Sequence, residues 1–201
     1  MIKAVIFDYG GVLKKEFPLP MEIIEIYGIA EEELLSLKNE TIPLHRLLNQ
    51  GRIIERDYWQ EISKAIKKPM PKDWEKLSRE IYEKYFSLET ELLKFARDLK
   101  KLGLKVAVLS NIAEFQAEII RKHAGYEGFD IVVLSYEEKT DKPEKDIYLS
   151  TIKRLKVKPR ECIFIDDRER NLLPAEELGM KTVLAKNTKQ IIKDVRAMIK
   201  S

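Results

Sequence analysis

Short apolar runs recur along the chain, and each is closed by small or polar residues. The first covers residues 3–8 and ends in an aspartate that is soon followed by two glycines. Continuous apolar runs of this length are typical of strands that are covered on both faces, as in parallel sheets. The pattern therefore predicts five buried strands. The other four runs cover residues 104–110, 130–135, 162–166 and 181–184.

Stretches with helical spacing precede, separate and follow the last four runs. Their apolar positions recur three or four residues apart, as on one face of an amphipathic helix. Strands that alternate with helices predict an α/β fold with a doubly wound parallel sheet. The helical stretches cover residues 89–101, 113–123, 143–156, 169–178 and 188–200.

Residues 16–88 interrupt this alternation, because they contain no convincing strand. The segment is too long for a loop in a compact domain, and we interpret it as an all-helical insert after the first strand. Residues 1–15 and 89–201 then form one Rossmann-like core. Helical stretches of the insert cover residues 21–27, 30–38, 43–50, 56–66 and 72–86. Its aromatic residues recur at helical spacing and are interpreted as the insert's own core: Tyr58, Trp59, Trp74, Tyr82, Tyr85 and Phe86.

The composition favours a globular protein, with 44% hydrophobic and 35% charged residues. No apolar run approaches the roughly 18 residues that a membrane-spanning helix needs, and Asp8 interrupts the apolar start of the chain, which we interpret as a strand. The net charge of +3 comes from interspersed basic and acidic residues, which argues against a nucleic-acid groove. We expect a cytoplasmic protein, a monomer or weak homodimer, without nucleic-acid or membrane partners.

The chain has one cysteine and two histidines. Cys162 cannot form an internal disulfide, and together with His45 and His123 it cannot supply a zinc site. Because Cys162 begins an apolar run, we predict a buried core residue rather than a reactive thiol.

Polar side chains stand where the predicted strands end. Asp8, Ser110 and the pair Asp166 and Asp167 each close a strand, and Lys142 lies in a loop after another. The carboxyl ends of parallel strands share one edge of the sheet, where ligands of such folds bind. Converging carboxylates repel unless a cation lies among them, and hard oxygen ligands favour Mg²⁺. Because the ammonium and the hydroxyl are suited to phosphate oxygens, this set of residues favours phosphoryl transfer.

Four ordered motifs make the chain resemble the haloacid dehalogenase superfamily of hydrolases. Each motif is weak alone, but together their order, spacing and strand-end placement are specific. The resemblance covers essentially the whole chain, and the insert is similar to the family's small helical cap in position and helical character. The motifs are residues 7–12 (FDYGGV), 108–111 (VLSN), 141–143 (DKP) and 164–167 (FIDD), the last followed by Asn171.

The resemblance implies a metal site and a nucleophile. Asp8 would attack phosphorus, form an aspartyl-phosphate intermediate and also bind the metal. The backbone carbonyl of Gly10 and the carboxylate of Asp167 would be the other protein ligands of Mg²⁺. Asp166 would belong to the same metal site by orienting a metal-bound water.

The resemblance also implies a phosphate site. Ser110 and Lys142 would bind the transferring phosphoryl group, and Lys142 would help to keep the nucleophile ionised. Tyr9, Gly10 and Asn111, which adjoin these residues in the motifs, are expected to take part in binding the substrate.

Gly10 departs from the family's usual pattern. Phosphatases of the family usually carry a second aspartate at this position, two residues after the nucleophile, which serves as general acid and base. Such a group contributes about 10²–10⁴-fold to the rate, whereas a backbone carbonyl ligand does not depend on the side chain. We therefore expect substrates with good leaving groups, a replacement acid from the cap or a metal-ordered water, or slow turnover.

These observations predict a Mg²⁺-dependent phosphatase of small phosphorylated metabolites, with sugar phosphates as one candidate class. Two alternatives stay open. A metal-independent 2-haloacid dehalogenase also uses an aspartate nucleophile, but such enzymes lack the paired carboxylates of Asp166 and Asp167. A catalytically weak binding module is favoured by Gly10 and opposed by the other site residues. A phosphomutase is disfavoured because it needs a general acid.

His45, Arg46 and Arg52 flank a helix–turn segment of the insert. They could overhang the site and select the substrate. For each of them a solvated surface role is the interpretation that we favour.

Overall fold

A five-stranded sheet forms the centre of the protein in a computed structural model that describes residues 1–15 and 20–200. The strand order is β3-β2-β1-β4-β5, and each neighbouring pair is parallel. The five predicted strands are confirmed, with ends that differ from the prediction by at most one residue. They are β1 (Ala4–Phe7), β2 (Lys105–Ser110), β3 (Ile131–Leu134), β4 (Cys162–Asp166) and β5 (Lys181–Leu184).

Helices fill the segment between β1 and residue 86, as predicted for the insert; its predicted first residues, 16–19, lie outside the described part of the chain. The main difference is that α3 begins five residues earlier than expected and contains Pro43. The turn before this proline is stabilised by Thr41, whose hydroxyl donates to the carbonyl of Leu37 over 3.0 Å. The helices are α1 (Met21–Tyr27), α2 (Glu31–Ser36), α3 (Lys38–Asn49), α4 (Glu55–Ile66) and α5 (Trp74–Tyr85).

The insert has its own apolar cluster, which reaches onto the residues that follow β2. Ala113, Phe115 and Ile119 belong to this cluster, so the insert is seated on that part of the core. Tyr85 differs from the prediction, since its hydroxyl donates to the carboxylate of Glu25. The other predicted aromatic residues lie in the cluster or pack against it: Tyr58, Trp59, Trp74, Tyr82 and Phe86.

The two chain segments that lead into and out of the insert lie side by side. Lys14 forms an antiparallel bridge with Leu88, and the backbone N–H of Glu89 donates to the carbonyl of Leu13 over 2.8 Å. The division of the chain into two domains near these residues stays a prediction.

Both faces of the sheet are covered by the remaining helices, which confirms the doubly wound α/β fold. In β1, Val5 and Phe7 enter one apolar cluster, whereas Ala4 and Ile6 enter the other, because successive side chains of a strand point to opposite faces. Cys162 is fully buried in the second cluster, as predicted, and burial raises the pKa of its thiol to about 12. The helices are α6 (Thr90–Lys101), α7 (Glu114–Lys122), α8 (Ser135–Glu138), α9 (Lys145–Leu155), α10 (Glu169–Glu177) and α11 (Thr188–Lys200).

The first cluster packs against α6, α7 and α11, and the second against α9 and α10. A 3₁₀ turn at Pro159–Glu161 leads into β4. Within residues 1–15 and 20–200, no helix is both long enough and apolar enough to span a membrane.

Candidate active site

Lys142 lies between two carboxylates at the carboxyl end of the sheet. Its Nζ atom is 2.7 Å from Oδ1 of Asp8 and 2.7 Å from Oδ2 of Asp166. The two aspartates are neighbours because Phe7 pairs with Ile165 in the adjacent strands β1 and β4. Only 1% of the Lys142 side chain is exposed, so protein groups rather than water balance its charge.

The electrostatic balance of these three residues favours a further cation. Burial raises the pKa of Asp8 well above its ordinary value, the charge of Asp166 adds to this effect, and Lys142 opposes it. Burial also disfavours the charged form of Lys142, but Asp8 and Asp166 outweigh it and raise the pKa of the lysine. One ammonium therefore does not fully compensate the buried negative charge.

Both oxygens of the Asp166 carboxylate accept hydrogen bonds from other residues. Its Oδ1 atom accepts hydrogen bonds from the backbone N–H of Arg168 (2.9 Å) and from the amide of Asn171 (2.8 Å), and its Oδ2 atom accepts from Lys142. A side chain with this many partners is well suited to orient its neighbours, and less suited to bind an ion directly.

Asp167 brings a third carboxylate to the site. One oxygen from each of Asp8, Asp166 and Asp167 lies within 4.8 Å of the others. Gly11 makes this approach possible, because its φ is +74° and a Cβ atom there would be 2.5 Å from Oδ2 of Asp167. Such a cluster of oxygen donors fits a hard divalent cation such as Mg²⁺. The geometry of these three carboxylates thus suits a metal ion, and the metal site stays a prediction.

Ser110 is the last residue of β2, and Asn111 comes directly after it. Ser110 is buried, and within the described part of the chain no other residue hydrogen-bonds its hydroxyl, which is consistent with the predicted phosphate site. Both ends of the amide of Asn111 bind the main chain of Lys142: Nδ2 donates to the carbonyl and Oδ1 accepts from the N–H, each over 2.8 Å. Asn111 therefore positions the lysine. The expected part of Asn111 in substrate binding stays a prediction.

Tyr9 and Gly10 belong to the loop after β1. The backbone N–H of Tyr9 donates to Oδ1 of Asp8 over 2.6 Å, but its side chain is buried in the core against Tyr126, with ring centres 5.1 Å apart. The part of Tyr9 in substrate binding stays a prediction, and with this buried side chain it would involve the main chain alone. Gly10 forms a bridge with Lys14, which fixes its backbone.

The three residues of the helix–turn segment differ in their surroundings. Arg46 is half exposed, yet its guanidinium binds the carboxylates of Asp141 and Glu144, so it does not have the solvated role that we favoured. His45 is likewise engaged, since its Nδ1 lies 2.8 Å from the hydroxyl of Tyr58. The Nη2 atom of Arg52 lies 3.5 Å from the carbonyl of Lys139.

Sequence reasoning missed Asp141 and Gln50 as residues of interest. Asp141 is buried and directly precedes Lys142, a position that marked it as part of a motif without suggesting its partner. Gln50 lies 91 residues earlier and donates to Oδ1 of Asp141 over 2.6 Å. No pattern in the sequence connects two residues so far apart.

A cavity of about 710 Å³ opens beside the carboxylate cluster. Gly11 and Asp167 line it, together with basic residues such as Lys15 and Lys186. Asp167 is thus the carboxylate of the cluster that faces open space.

The comparisons with known proteins agree with the geometry. A family model described as haloacid dehalogenase-like hydrolase matches residues 2–179. A phosphorylated carbohydrates phosphatase from Thermotoga maritima is 26% identical over 194 residues, covering 90% of this chain and 84% of that protein. Bifunctional epoxide hydrolase 2 from Rattus norvegicus is 29% identical over 120 residues, covering 54% of this chain. The match covers 21% of the epoxide hydrolase, so the chain corresponds to about a fifth of that relative.

Solved structures share the fold. A HAD family enzyme from Bacteroides thetaiotaomicron, in complex with magnesium and inorganic phosphate, superposes with a TM-score of 0.76 at 24% identity, covering 92% of this chain and 95% of that one. L-2-haloacid dehalogenase from Xanthobacter autotrophicus superposes with a TM-score of 0.66 at 20% identity, covering 98% and 83%. Identities this low establish a common fold and leave the reaction to the residues of the site.

Proposed function

Because the chain belongs to the family of haloacid dehalogenase-like hydrolases, we propose that it is a Mg²⁺-dependent phosphatase with Asp8 as its nucleophile. One observation carries the proposal. Lys142 lies 2.7 Å from both Asp8 and Asp166, and Asp167 completes a cluster of carboxylates next to them. This arrangement combines a nucleophile, an ammonium for phosphate oxygens and donors for a hard cation.

The reaction that we propose proceeds in two displacements. An oxygen of Asp8 attacks phosphorus while the bond from phosphorus to the ester oxygen breaks, and the leaving oxygen takes up a proton from solvent water. Water then attacks the phosphorus of the aspartyl phosphate, which releases inorganic phosphate and restores the carboxylate. We assign the attack to Oδ2, because Oδ1 is already engaged by the N–H of Tyr9 and by Lys142.

The other residues would hold the phosphoryl group and the cation. Lys142 and the hydroxyl of Ser110 would bind phosphate oxygens as their negative charge is redistributed in the transition state. The carboxylates of Asp8 and Asp167 and the carbonyl of Gly10 would hold Mg²⁺, while Asp166 keeps its neighbours in place. Bound Mg²⁺ would supply positive charge to the transferring group.

Small phosphorylated metabolites are the substrate class that we propose. Support comes from the phosphorylated carbohydrates phosphatase of Thermotoga maritima, which matches 90% of this chain. Since position 10 carries glycine, the site lacks the usual acid that protonates the leaving group there. We therefore expect preference for esters whose leaving groups need little protonation, such as anomeric sugar phosphates and aryl phosphates.

Hydrolysis of p-nitrophenyl phosphate tests this proposal. We expect activity with Mg²⁺, loss of activity with EDTA, and loss in Asp8→Asn. Asp98→Asn is the matched control, because Asp98 lies on the surface of α6 and pairs with Lys101. Activity that persists in EDTA or in Asp8→Asn would contradict the proposal.

The second candidate is a 2-haloacid dehalogenase, since the Xanthobacter autotrophicus enzyme shares the fold. The carboxylates of Asp166 and Asp167 oppose this candidate, because a metal-independent reaction does not need them. Chloride release from 2-chloropropionate without Mg²⁺ would favour it. A chain that neither turns over esters nor gains thermal stability from beryllofluoride with Mg²⁺ would instead be a binding module.

A further inference from the structure

Asp141, the residue before Lys142, is bound by the insert. Only 4% of Asp141 is exposed, and its carboxylate accepts from Nε of Arg46 (3.0 Å), from Nη2 of Arg46 (3.0 Å) and from Nε2 of Gln50 (2.6 Å). Arg46 lies in α3 and Gln50 directly after it. We refer to Arg46, Gln50 and Asp141 as the α3 latch.

The latch encloses the segment that carries Lys142. Nη2 of Arg46 also donates to Glu144 over 2.7 Å, and the N–H of Glu144 donates to the carbonyl of Asp141 over 2.8 Å. One guanidinium thus binds the carboxylates on both sides of Lys142. Arginine is well suited to this task because its planar group offers several donors in a fixed geometry.

The core holds the same lysine from the other side. Asn111 binds both main-chain groups of Lys142. The segment that carries the ammonium thus has contacts from the core and contacts from Arg46 in α3, which lies 95 residues before Asp141 along the chain.

The end of α3 is seated closely on the core around the latch. The hydroxyl of Ser135 donates to the carbonyl of Asn49 over 2.5 Å and accepts from the N–H of Ile112. Gly51 comes so near that a Cβ atom would be 2.6 Å from the carbonyl oxygen of Tyr136. These contacts fix the helix end at the level of the loops that carry the candidate phosphate-binding residues.

We propose that the α3 latch is a positioning device for Lys142, which keeps the ammonium between Asp8 and Asp166 while α3 lies on the core. The inference rests on the proposed function and deepens it, because it makes stabilisation of the phosphoryl group in the transition state depend on the insert. Arg46 has a defined part in this: without it, the buried carboxylate of Asp141 loses its counter-charge one residue from Lys142. An unpaired buried charge is costly, so the segment relaxes and the lysine leaves its place.

Kinetics of variants of the α3 latch test the proposal in the whole 201-residue chain. With p-nitrophenyl phosphate and Mg²⁺, we expect Arg46→Ala to lower kcat by about 10- to 100-fold, as misplacement of an active-site group does, with little change in KM. Adding Asp141→Asn should restore most of kcat, because the neutral amide needs no counter-charge. Arg52→Ala is the control from the same interface and should keep the wild-type kcat.

Acylation of lysines gives a readout that needs no activity. In the wild type, Lys142 should resist acetic anhydride because 1% of its side chain is exposed, whereas Lys101, with 77% exposed, reacts and serves as the internal reference. Peptide mass spectrometry should show acylated Lys142 in Arg46→Ala and renewed protection in Arg46→Ala/Asp141→Asn. Circular dichroism verifies the fold, and Arg46→Gln, which removes the same positive charge but keeps a polar side chain, replaces Arg46→Ala if the latter does not fold.

The two proposals fail in different ways. A wild-type protein without phosphatase activity would contradict the proposed function, and the acylation pattern would still test the latch. The latch is wrong if Arg46→Ala leaves both kcat and the protection of Lys142 at wild-type levels. It is also wrong if Asp141→Asn adds to the defect of Arg46→Ala instead of relieving it, because independent stabilising contacts would add.

Discussion

At the scale of single residues, Lys142 is a lysine whose charged side chain is almost completely buried. Its ammonium is buried between Asp8 and Asp166, and its main chain is held by Asn111. A charge in such surroundings is stable only with partners close by. Loss of the Lys142 charge would therefore leave the carboxylates of both Asp8 and Asp166 without this partner.

We predict that Lys142→Met lowers kcat for p-nitrophenyl phosphate by at least about 100-fold, the effect of losing one preorganised donor. The substitution also leaves Asp8 and Asp166 facing each other, so the free energy of unfolding should fall. Steady-state kinetics and urea unfolding measure both effects. Adding Asp166→Asn should recover stability but not activity.

Lys145→Met is the control for this experiment. Lys145 is 57% exposed and pairs with Glu177, so its loss should change neither quantity. A Lys142→Met protein with wild-type kcat would remove the lysine from the proposed mechanism.

The sequence allowed prediction of the residues at the strand ends, because each follows an apolar run that is easily recognised. Asp8, Ser110 and Asp166 lie where those runs end. The partners of these residues could not be found in this way. The contact between Arg46 and Asp141 joins two residues that are 95 positions apart in the sequence. The hydrophobic pattern of neither segment predicts this contact.

At the scale of elements, α3 and α4 are joined by a partly buried polar contact. Nδ1 of His45 lies 2.8 Å from the hydroxyl of Tyr58. Burial raises the pKa of Tyr58 well above its ordinary value, so the hydroxyl stays protonated and donates. Burial also lowers the pKa of His45 from 6.5 to about 4, which keeps the imidazole neutral and able to accept.

The pair predicts that acid weakens the protein through His45. Between pH 6.5 and 4 the histidine of the unfolded chain binds a proton and the folded one does not, so the free energy of unfolding falls as the pH falls. The contribution is at most about 1.4 kcal/mol per pH unit. Urea unfolding at several pH values should show a smaller slope for His45→Asn than for the wild type.

His123→Asn serves as the comparison, because His123 is 45% exposed at the end of α7. Its loss removes an imidazole that lies 3.8 Å from Glu83 and leaves the contact of His45 with Tyr58 intact, so the slope should stay steeper than in His45→Asn. Equal slopes in wild type and His45→Asn would contradict the assignment of a neutral imidazole to His45.

Elements were predicted with unequal success for a physical reason. Strands buried on both faces give continuous apolar runs, and β4 and β5 have the predicted bounds. The start of α3 was missed because Pro43 normally begins a helix rather than lying within one. Local bonds of Thr41 to Leu37 stabilise the preceding turn, and such contacts are not visible in a hydrophobic pattern.

At the scale of the whole molecule, the carboxylate cluster should couple metal binding to stability. Mg²⁺ at about 100 times its Kd would stabilise the folded state by about 2.7 kcal/mol, which corresponds to a rise in Tm of roughly 5–10 °C for a chain of this size. Thermal unfolding with and without Mg²⁺ measures the shift. Asp167→Asn should abolish it, whereas Asp194→Asn, on α11, should not.

An unchanged Tm at saturating Mg²⁺, in a protein that is otherwise folded, would contradict the metal site. A shift that survives in Asp167→Asn would place the ion elsewhere in the molecule.

The charges around Lys142 also predict the order in which the metal ion and the substrate bind. Three clustered carboxylates exceed the two nearby positive charges, which are the buried ammonium of Lys142 and the half-exposed guanidinium of Arg168, 3.9 Å from Asp167. The ionised site therefore keeps an excess of negative charge, and a phosphate ester approaching it is itself an anion. Coulomb repulsion would therefore keep the ester out until a divalent ion has entered. The cation would bind first and the ester second. The ambient magnesium concentration would then determine the fraction of the enzyme that can bind its substrate.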